Sequence, residues 1–425
     1  MLKRIMSNDF NKNVIKLMTG ATIAQAIPIA ISPILTRLYT PEDFGVLALF
    51  VAITAILGSV ANARYDMAIV LPSDDKESIN LVALSVLIAT LISIMLTIIL
   101  LVFHTSIIRL LDNPDIGNWL YFIPLVVFFI GLFNALNHLN TRMKSFGVIA
   151  RVRVIKSVSL AAVQLGLGFL KYGVSGLIYG QIISHIFANT RLLKRVLEIK
   201  GWYSYIKLSE IIRLGKRYSD FPKYSLIATL SNNLAIHLTN IFIPILYSTK
   251  TLGHYSLVNR TLGLPTTMIG TSIGQVFLQK ASEEKNKTGL VKDTFNSTFK
   301  KLILISLIPF TFLFFFSEEL VSIIFGKDWI EAGLYMKYLL PLFFIRFIAS
   351  PLSNILIVFE RQKLLLYWQV GNLFISFIVF FVSYLNNLEV KSFFIFNTLC
   401  LLFHYLLLLF IVYRLSVYGA IKGVE

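Results

Sequence analysis

Residues 79–103 read INLVALSVLIATLISIMLTIILLVF, an uninterrupted run of 25 residues without a charged side chain. A helix rises about 1.5 Å per residue, so this run is about 37 Å long as a helix. About 20 mostly apolar residues are enough to cross the ~30 Å hydrocarbon core of a bilayer. The run is therefore predicted to be a transmembrane helix.

The rest of the chain also has the composition of a membrane protein. Of its 425 residues, 56% are hydrophobic and 14% are charged, and the mean hydropathy is +0.75. Soluble domains carry about 25% charged residues and disordered chains are far more polar, so both classes are excluded. Scanning for runs of spanning length predicts twelve transmembrane helices, at 14–36, 44–63, 79–103, 119–137, 152–170, 174–192, 224–247, 254–278, 300–316, 338–359, 364–385 and 392–413.

Basic residues are distributed unevenly between the two predicted sides of the membrane. If the N-terminus is cytoplasmic and the helices alternate, 30 of the 39 Lys and Arg residues fall in cytoplasmic segments, counted together with the adjoining helix ends, and seven in outer segments. Positive residues collect on the cytoplasmic side of membrane proteins. We therefore predict that both termini are cytoplasmic, and the net charge of +17 requires no nucleic-acid partner. The cytoplasmic loops are expected to attract anionic membrane lipids.

Short matches indicate an internal duplication. Residues 121–125 (YFIPL) and 338–342 (YLLPL) begin the predicted fourth and tenth helices, and the tripeptide PIL at 33–35 and 244–246 ends the first and seventh. Both offsets are close to half the chain length. Because each half then holds an even number of helices, the repeats are parallel. The predicted fold is all-α, with two six-helix bundles around a central cleft.

The predicted domains are an N-terminal bundle at 1–200, a basic cytoplasmic linker at 201–221 and a C-terminal bundle at 222–425. Within the linker, residues 208–214 read LSEIIRL. This stretch is either a short amphipathic helix in the membrane interface or part of a solvated basic linker.

No constellation of catalytic residues is visible. The six histidines lack the spacing of metal ligands, no phosphate-binding loop or nucleophile elbow occurs, and Cys400 stands alone in an apolar run. A membrane polymerase or glycosyltransferase needs charged groups in sizeable outer loops, whereas the longest outer loop predicted here is 317–337. We therefore expect a protein that is not an enzyme and holds no metal or cofactor.

Charged residues at membrane depth are the strongest candidates for function. A central Arg costs about 2.5–3.5 kcal/mol on insertion scales. Arg346 lies nine positions into the tenth helix, near the midplane. It is either a cation awaiting an anionic substrate, or it is paired with a helix C-terminus or with a carboxylate on another helix. Arg260 lies six positions into the eighth helix, where its side chain either binds substrate or extends to the outer surface.

Weaker candidates carry a second possible explanation. Arg64 and Asp66, at the inner end of the second helix, form either an interfacial anchor or a gate with an ion-coupling carboxylate. Polar side chains at membrane depth either line a sugar path or bond neighbouring helices; we single out Gln25, Asn240 and Asn354.

Five ordered motifs resemble those of bacterial O-antigen and capsule repeat-unit flippases, which form a polysaccharide transporter family in the multidrug/oligosaccharidyl-lipid/polysaccharide exporter superfamily. They are LTRLYTPEDFG at 35–45, RYDMAIVLP at 64–72 followed by Asp74 and Asp75, FPKYS at 221–225, YSLVNR at 255–260 with LP at 264–265 and IGQVF at 273–277, and FGKDW at 325–329 with PL at 341–342, RF at 346–347 and SPLS at 350–353. The resemblance covers most of the chain.

This resemblance implies a flippase of the bacterial inner membrane. It implies transfer of undecaprenyl-diphosphate-linked oligosaccharide units from the cytoplasmic to the periplasmic leaflet for O-antigen, lipopolysaccharide or capsule assembly, driven by an H⁺ or Na⁺ gradient. A polysaccharide polymerase and chain-length machinery are the implied partners. Arg260 and Arg346 lie in matched motifs and become the leading candidates for the substrate's diphosphate. The alternatives are a multidrug exporter of the same superfamily and a membrane polymerase or glycosyltransferase.

Overall fold

A computed structural model of the protein describes residues 9–198 and 201–419. The described residues form helices and connecting turns without a β-strand, so the predicted all-α class is confirmed. Part of the predicted linker (199–200) and the extreme termini at 1–8 and 420–425 lie outside the described residues. The cytoplasmic location of both termini therefore remains a prediction.

The described residues up to Leu246 contain eight helices of ten residues or more. They are α1 (Asp9–Leu38), α2 (Pro41–Gly58), α3 (Asp75–Leu111), α4 (Ile123–Arg142), α5 (Phe146–Phe169), α6 (Val174–Leu197), α7 (Leu208–Arg217) and α8 (Leu226–Leu246). Helix α5 packs along both α1 and α6, α4 packs against α3 and α6, and α8 lies along α2. A short 3₁₀ helix, Tyr65–Val70, joins α2 to α3.

The described residues from Thr249 onward contain six further helices of ten residues or more. They are α9 (Thr249–Val258), α10 (Leu264–Thr288), α11 (Lys292–Phe325), α12 (Ile330–Leu352), α13 (Gln362–Leu385) and α14 (Val390–Tyr418). Helix α12 is central, because α10, α11 and α14 all pack against it, while α13 packs on α14. Turns of π-helix precede α8 at Phe221–Ser225 and precede α10 at Asn259–Gly263.

Nine of the described helical segments are long and apolar enough to cross a membrane. The protein is a multi-pass membrane protein, while the count of twelve spans remains a prediction. The predicted spans at 152–170, 174–192 and 254–278 are helical in the structure but are not among these nine.

The chain divides into two compact units, one ending at Gly253 and the other beginning at His254. The helix predicted to open the C-terminal bundle, α8, therefore belongs to the first unit, where it packs along α2. Two six-helix halves divided at 201–221 remain a prediction about the internal repeat.

The segment 208–214 forms most of helix α7, which docks on the first unit. Leu214 is completely buried in the cluster that also contains Leu81 of α3. Arg213 and Arg217 pair with Glu77 in the first turn of α3. A hydrogen bond from Arg213 lowers the pKa of Glu210. The stretch is therefore a helix anchored to α3.

Candidate functional site

Arg346 lies on α12 with its guanidinium between two aromatic rings. Its Cζ atom is 5.5 Å from the ring centre of Phe343, one turn earlier, and 5.8 Å from that of Tyr405 on α14. The side chain is half-buried, and it makes no hydrogen bond or ion pair with the described residues. Cation–π contacts orient a guanidinium without neutralising it. No described carboxylate fills the role of the helix-to-helix ion pair considered above.

Arg260 lies in the π-helical turn before α10. It is half-buried and makes no hydrogen bond or ion pair within the part of the chain that the structure describes. Single π-helical turns recur at functional sites because they change the direction of the side chains they carry. At the end of this turn the backbone of Gly263 lies against the Phe343 ring, with 3.7 Å between an ideal Cβ position and Cε1. The turn that carries Arg260 and the ring beneath Arg346 are therefore adjacent within the second unit.

Arg64 is held by the protein itself at the inner end of α2. Its backbone is in the left-handed region with φ of 66°, and it precedes the 3₁₀ helix. Its Nε donates to Ser225 Oγ at 3.5 Å, within the π-helical turn before α8, and Nη2 contacts the Met67 sulfur. The next residue, Tyr65, donates to the Gly215 carbonyl at 2.8 Å, and burial raises the pKa of its phenol.

Asp66 is buried, with 2% of its side chain exposed, and its Oδ2 lies 3.4 Å from His138 Nε2 on α4. A buried carboxylate is stable only with a partner of this kind. Asp66 and Arg64 therefore share one junction of the first unit but have different partners.

The three candidate amides have different surroundings. Asn354 donates to the Gly274 carbonyl at 3.1 Å and so bonds the end of α12 to α10. Gln25 is exposed on α1 and Asn240 is half-buried on α8, and neither has a hydrogen-bond partner among the described residues. Their role in substrate binding remains a prediction.

A further deep cation was not among the predicted site residues. Lys156 on α5 places its ammonium 3.2 Å from His185 Nε2 on α6 and 5.6 Å from the ring centre of Phe133. The adjacent Ser157 donates to the Ala24 carbonyl at 2.7 Å, which sets Lys156 level with Gln25 on α1. The sequence does indicate this cation, because Lys156 is a lysine at the fifth position of the predicted span 152–170.

The sequence motif after α2 forms a structural clamp. Arg142 at the end of α4 donates to Asp75 Oδ1 at 2.9 Å, to the Ser73 carbonyl at 3.0 Å and also to the Pro72 carbonyl. Asp74 caps α3 by accepting from the Lys76 backbone. The motif's acidic pair therefore serves helix capping and loop closure.

The described residues contain no group of three or more His, Cys, Asp or Glu side chains that could hold a metal ion. What they do contain is a multi-span helical body with positively charged side chains inside it. This combination is that of a multi-pass membrane protein with basic side chains within its helices.

Comparison with known proteins identifies the family. A family model described as polysaccharide biosynthesis protein matches residues 34–333, and the chain belongs to this family. The teichuronic acid biosynthesis protein TuaB of Bacillus subtilis (strain 168) is 21% identical over 230 residues, which are 53% of this chain and 46% of the relative. The match thus spans less than half the length of this curated relative.

Solved structures share the fold at low sequence identity. The lipid II flippase MurJ in an inward closed conformation has a TM-score of 0.72 and 14% identity, covering 94% of this chain and 87% of its own. The MATE multidrug transporter DinF-BH has a TM-score of 0.65 and 15% identity, covering 96% and 95%. The first of these structures is a flippase and the second a multidrug transporter, and at this identity the likeness shows that the chain shares their fold. The predicted membership of a polysaccharide family is confirmed by the family match.

Proposed function

We propose that this protein flips undecaprenyl-diphosphate-linked oligosaccharides from the cytoplasmic to the periplasmic leaflet of the bacterial inner membrane. The proposal rests on the guanidinium of Arg346, which lies over the rings of Phe343 and Tyr405. It forms no ion pair with a carboxylate of the described residues. A charge kept at that depth despite its cost needs a compensating anion. A diphosphate supplies one.

The chemistry of the cargo agrees with this arrangement. A diphosphate crosses hydrocarbon only if a cation offsets its charge, and the planar fork of Arg binds two phosphate oxygens at once. The prenyl tail stays in lipid, and the sugar needs only a wet polar path. Rocking of two helical bundles about a central site then exposes the site to each leaflet in turn.

We assign the other predicted residues to phosphate binding or to contact with the sugar. Arg260 is the second phosphate ligand, because its π-helical turn adjoins the ring beneath Arg346. Arg64 meets the substrate at the inner end, where it must exchange its bond to Ser225 for a phosphate oxygen. Gln25, Asn240 and Asn354 contact the sugar, and for Asn354 this requires release of the Gly274 carbonyl.

Asp66 is our candidate for the gate or for coupling to an H⁺ or Na⁺ gradient. It is a buried carboxylate whose one described partner is the imidazole of His138, so a proton or a sodium ion arriving there changes the charge balance of the pair. The junction also carries Arg64 two residues away. Ion binding would thereby act on the same loop as substrate entry.

The names of relatives support a pathway of surface polysaccharide assembly. One relative takes part in teichuronic acid biosynthesis and another flips lipid II. O-antigen, lipopolysaccharide and capsule are the products we propose for this chain, with a repeat-unit polymerase and its chain-length machinery as partners.

A multidrug exporter is the main rival, because DinF-BH shares the fold. A site for cationic drugs needs acidic side chains, whereas the deep charged groups described here are Arg260, Arg346 and Lys156. The decisive experiment places the purified protein in proteoliposomes with a lipid-linked oligosaccharide and, separately, with rhodamine 6G. We expect transfer of the lipid-linked sugar only. Rhodamine transport alone would favour the drug exporter, and sugar-chain extension would favour an enzyme.

A further inference from the structure

A cavity of about 600 Å³ opens between α10 and α11 in the second unit, apart from Arg346 and Arg260. Both helices pack on α12, but they diverge from each other and leave a groove. Its floor consists of Phe277 and Leu302, which are 1% and 0% exposed, and its walls include the exposed side chains of Val276 and Ile305. One end of the groove is therefore a hydrocarbon surface.

The other end of the groove is polar and positively charged. Lys280 and Lys301 line it, and neither ammonium has an ion pair or hydrogen bond to the described residues. The hydroxyl groups of Ser297 and Thr298 also line it and likewise have no partner there. These two ammonium groups and two hydroxyl groups can therefore donate hydrogen bonds to an anionic ligand.

The level of this polar end corresponds to lipid headgroups. Lys280 and Lys301 stand at the predicted inner ends of the spans 254–278 and 300–316, where the chain enters the cytoplasm. Basic side chains in this position attract anionic lipids. The apolar walls continue from this level toward the membrane interior, in the direction that acyl chains take.

The α11 N-terminus itself is already occupied by the protein. Both carboxylate oxygens of Glu284 accept from backbone N–H groups, at 3.0 Å from Asp293 and 2.8 Å from Thr294. The ligand's anion is therefore left to the side chains. Asp293 also lines the groove, so its charged groups sum to about one positive charge, which matches a phosphodiester better than a diphosphate.

We infer that this groove binds one anionic phospholipid of the inner leaflet, with its phosphodiester between Lys280 and Lys301 and an acyl chain along Val276 and Ile305. The proposal is independent of the flippase substrate. A lipid bound there would tie α10, which continues the turn of Arg260, to α11.

The test uses the purified full chain and native mass spectrometry with 1-palmitoyl-2-oleoyl-phosphatidylglycerol as the probe. Removing both groove lysines (K280A/K301A) should weaken the apparent affinity for this lipid about thirtyfold, because each basic residue near lipid phosphate contributes about fivefold. The matched control K287A/K300A removes two exposed lysines from the same two helices that do not line the groove, and it should bind like the wild type.

A second variant and two competitors complete the test. Ser297→Trp fills the groove from an exposed position and should also displace the lipid, while phosphatidylcholine and sn-glycerol 3-phosphate should not compete. Equal weakening in both double variants, or displacement by glycerol phosphate, would overturn the proposal. So would tighter binding of undecaprenyl diphosphate than of phosphatidylglycerol, since the groove would then belong to the substrate path.

Discussion

The backbone of Gly45 in α2 lies against Thr249 at the start of α9 so closely that a methyl group on Gly45 would overlap the Thr249 carbonyl oxygen. Gly253 meets the carbonyl of Pro41 in the same way. Both helix starts are capped alike, since Thr40 accepts from the Asp43 backbone at 3.2 Å and Ser248 from the Thr251 backbone at 3.1 Å. An internal repeat with its axis between the two helix starts would produce this reciprocal contact.

The close backbone contacts of Gly45 and Gly253 predict that alanine is not tolerated at either position. Gly45→Ala and Gly253→Ala should each lower the thermal midpoint of the purified protein, because overpacking costs about 1–3 kcal/mol and the clashing atoms belong to rigid backbone. Gly147→Ala is the control, since open space surrounds a methyl group there. The interpretation fails if all three variants melt together with the wild type.

The second prediction concerns Asn80, which fixes the linker to α3. Its buried amide donates to the Tyr205 carbonyl at 2.8 Å and accepts from the Lys207 backbone at 2.9 Å. Asn80→Ala leaves both groups unpaired, a cost of about 1–3 kcal/mol for each one that stays buried. Limited trypsin digestion should then cut faster at Lys207 and Arg213. Asn386→Ala, which removes an exposed amide, should not change the rate; equal rates for both variants would contradict the assigned role.

Topology gives the third prediction. Cys400 is the single cysteine, so its replacement by Ser yields a background for single-cysteine labelling. Cysteine at exposed Lys287 should react only after the inner membrane is permeabilised, and cysteine at exposed Asp115 or Lys327 should react from the periplasm. Labelling of position 287 from outside would overturn the arrangement of alternating spans.

Hydrophobic length predicted where helices lie better than where they end. The apolar run 79–103 lies inside Asp75–Leu111, because Asp74 caps the helix before the apolar residues begin. The run 300–316 lies inside Lys292–Phe325, since the helix begins in the polar stretch 292–298 and continues past Glu318 and Glu319 to Phe325. Helices continue into the headgroup region through polar turns, so the length of an apolar run does not predict where the helix ends.

The candidate site was predictable by residue type but not by partner. A deep arginine is visible in sequence, whereas its aromatic neighbour Tyr405 lies 59 positions away on another helix. The bond from Asn354 to Gly274 and the contact between Lys156 and His185 are likewise made between helices. Such pairings depend on helix rotation and depth, which a single sequence does not specify.

The fourth prediction concerns Arg260. Arg260→Ala should insert normally, because it removes a costly charge and no described hydrogen bond. It should reduce surface polymer in a deletion strain by as much as Arg346→Ala or by less, since we assign it the second phosphate contact. Polymer at the wild-type level with normal protein abundance would remove Arg260 from the site.

In the proposed function, Arg346 holds the diphosphate of the substrate. The most direct measurement is transfer of an undecaprenyl-diphosphate-linked oligosaccharide across proteoliposomes, normalised to the amount of folded protein. Arg346→Ala should reduce transfer at least tenfold, and Arg346→Lys should keep part of it, because the charge returns without the fork. The control is Arg414→Ala, whose guanidinium also lies over two rings, Phe410 and Tyr418, but at the predicted inner end of α14. Full transfer by Arg346→Ala at normal abundance would contradict the claim, and loss of the folded protein would instead assign Arg346 a structural role.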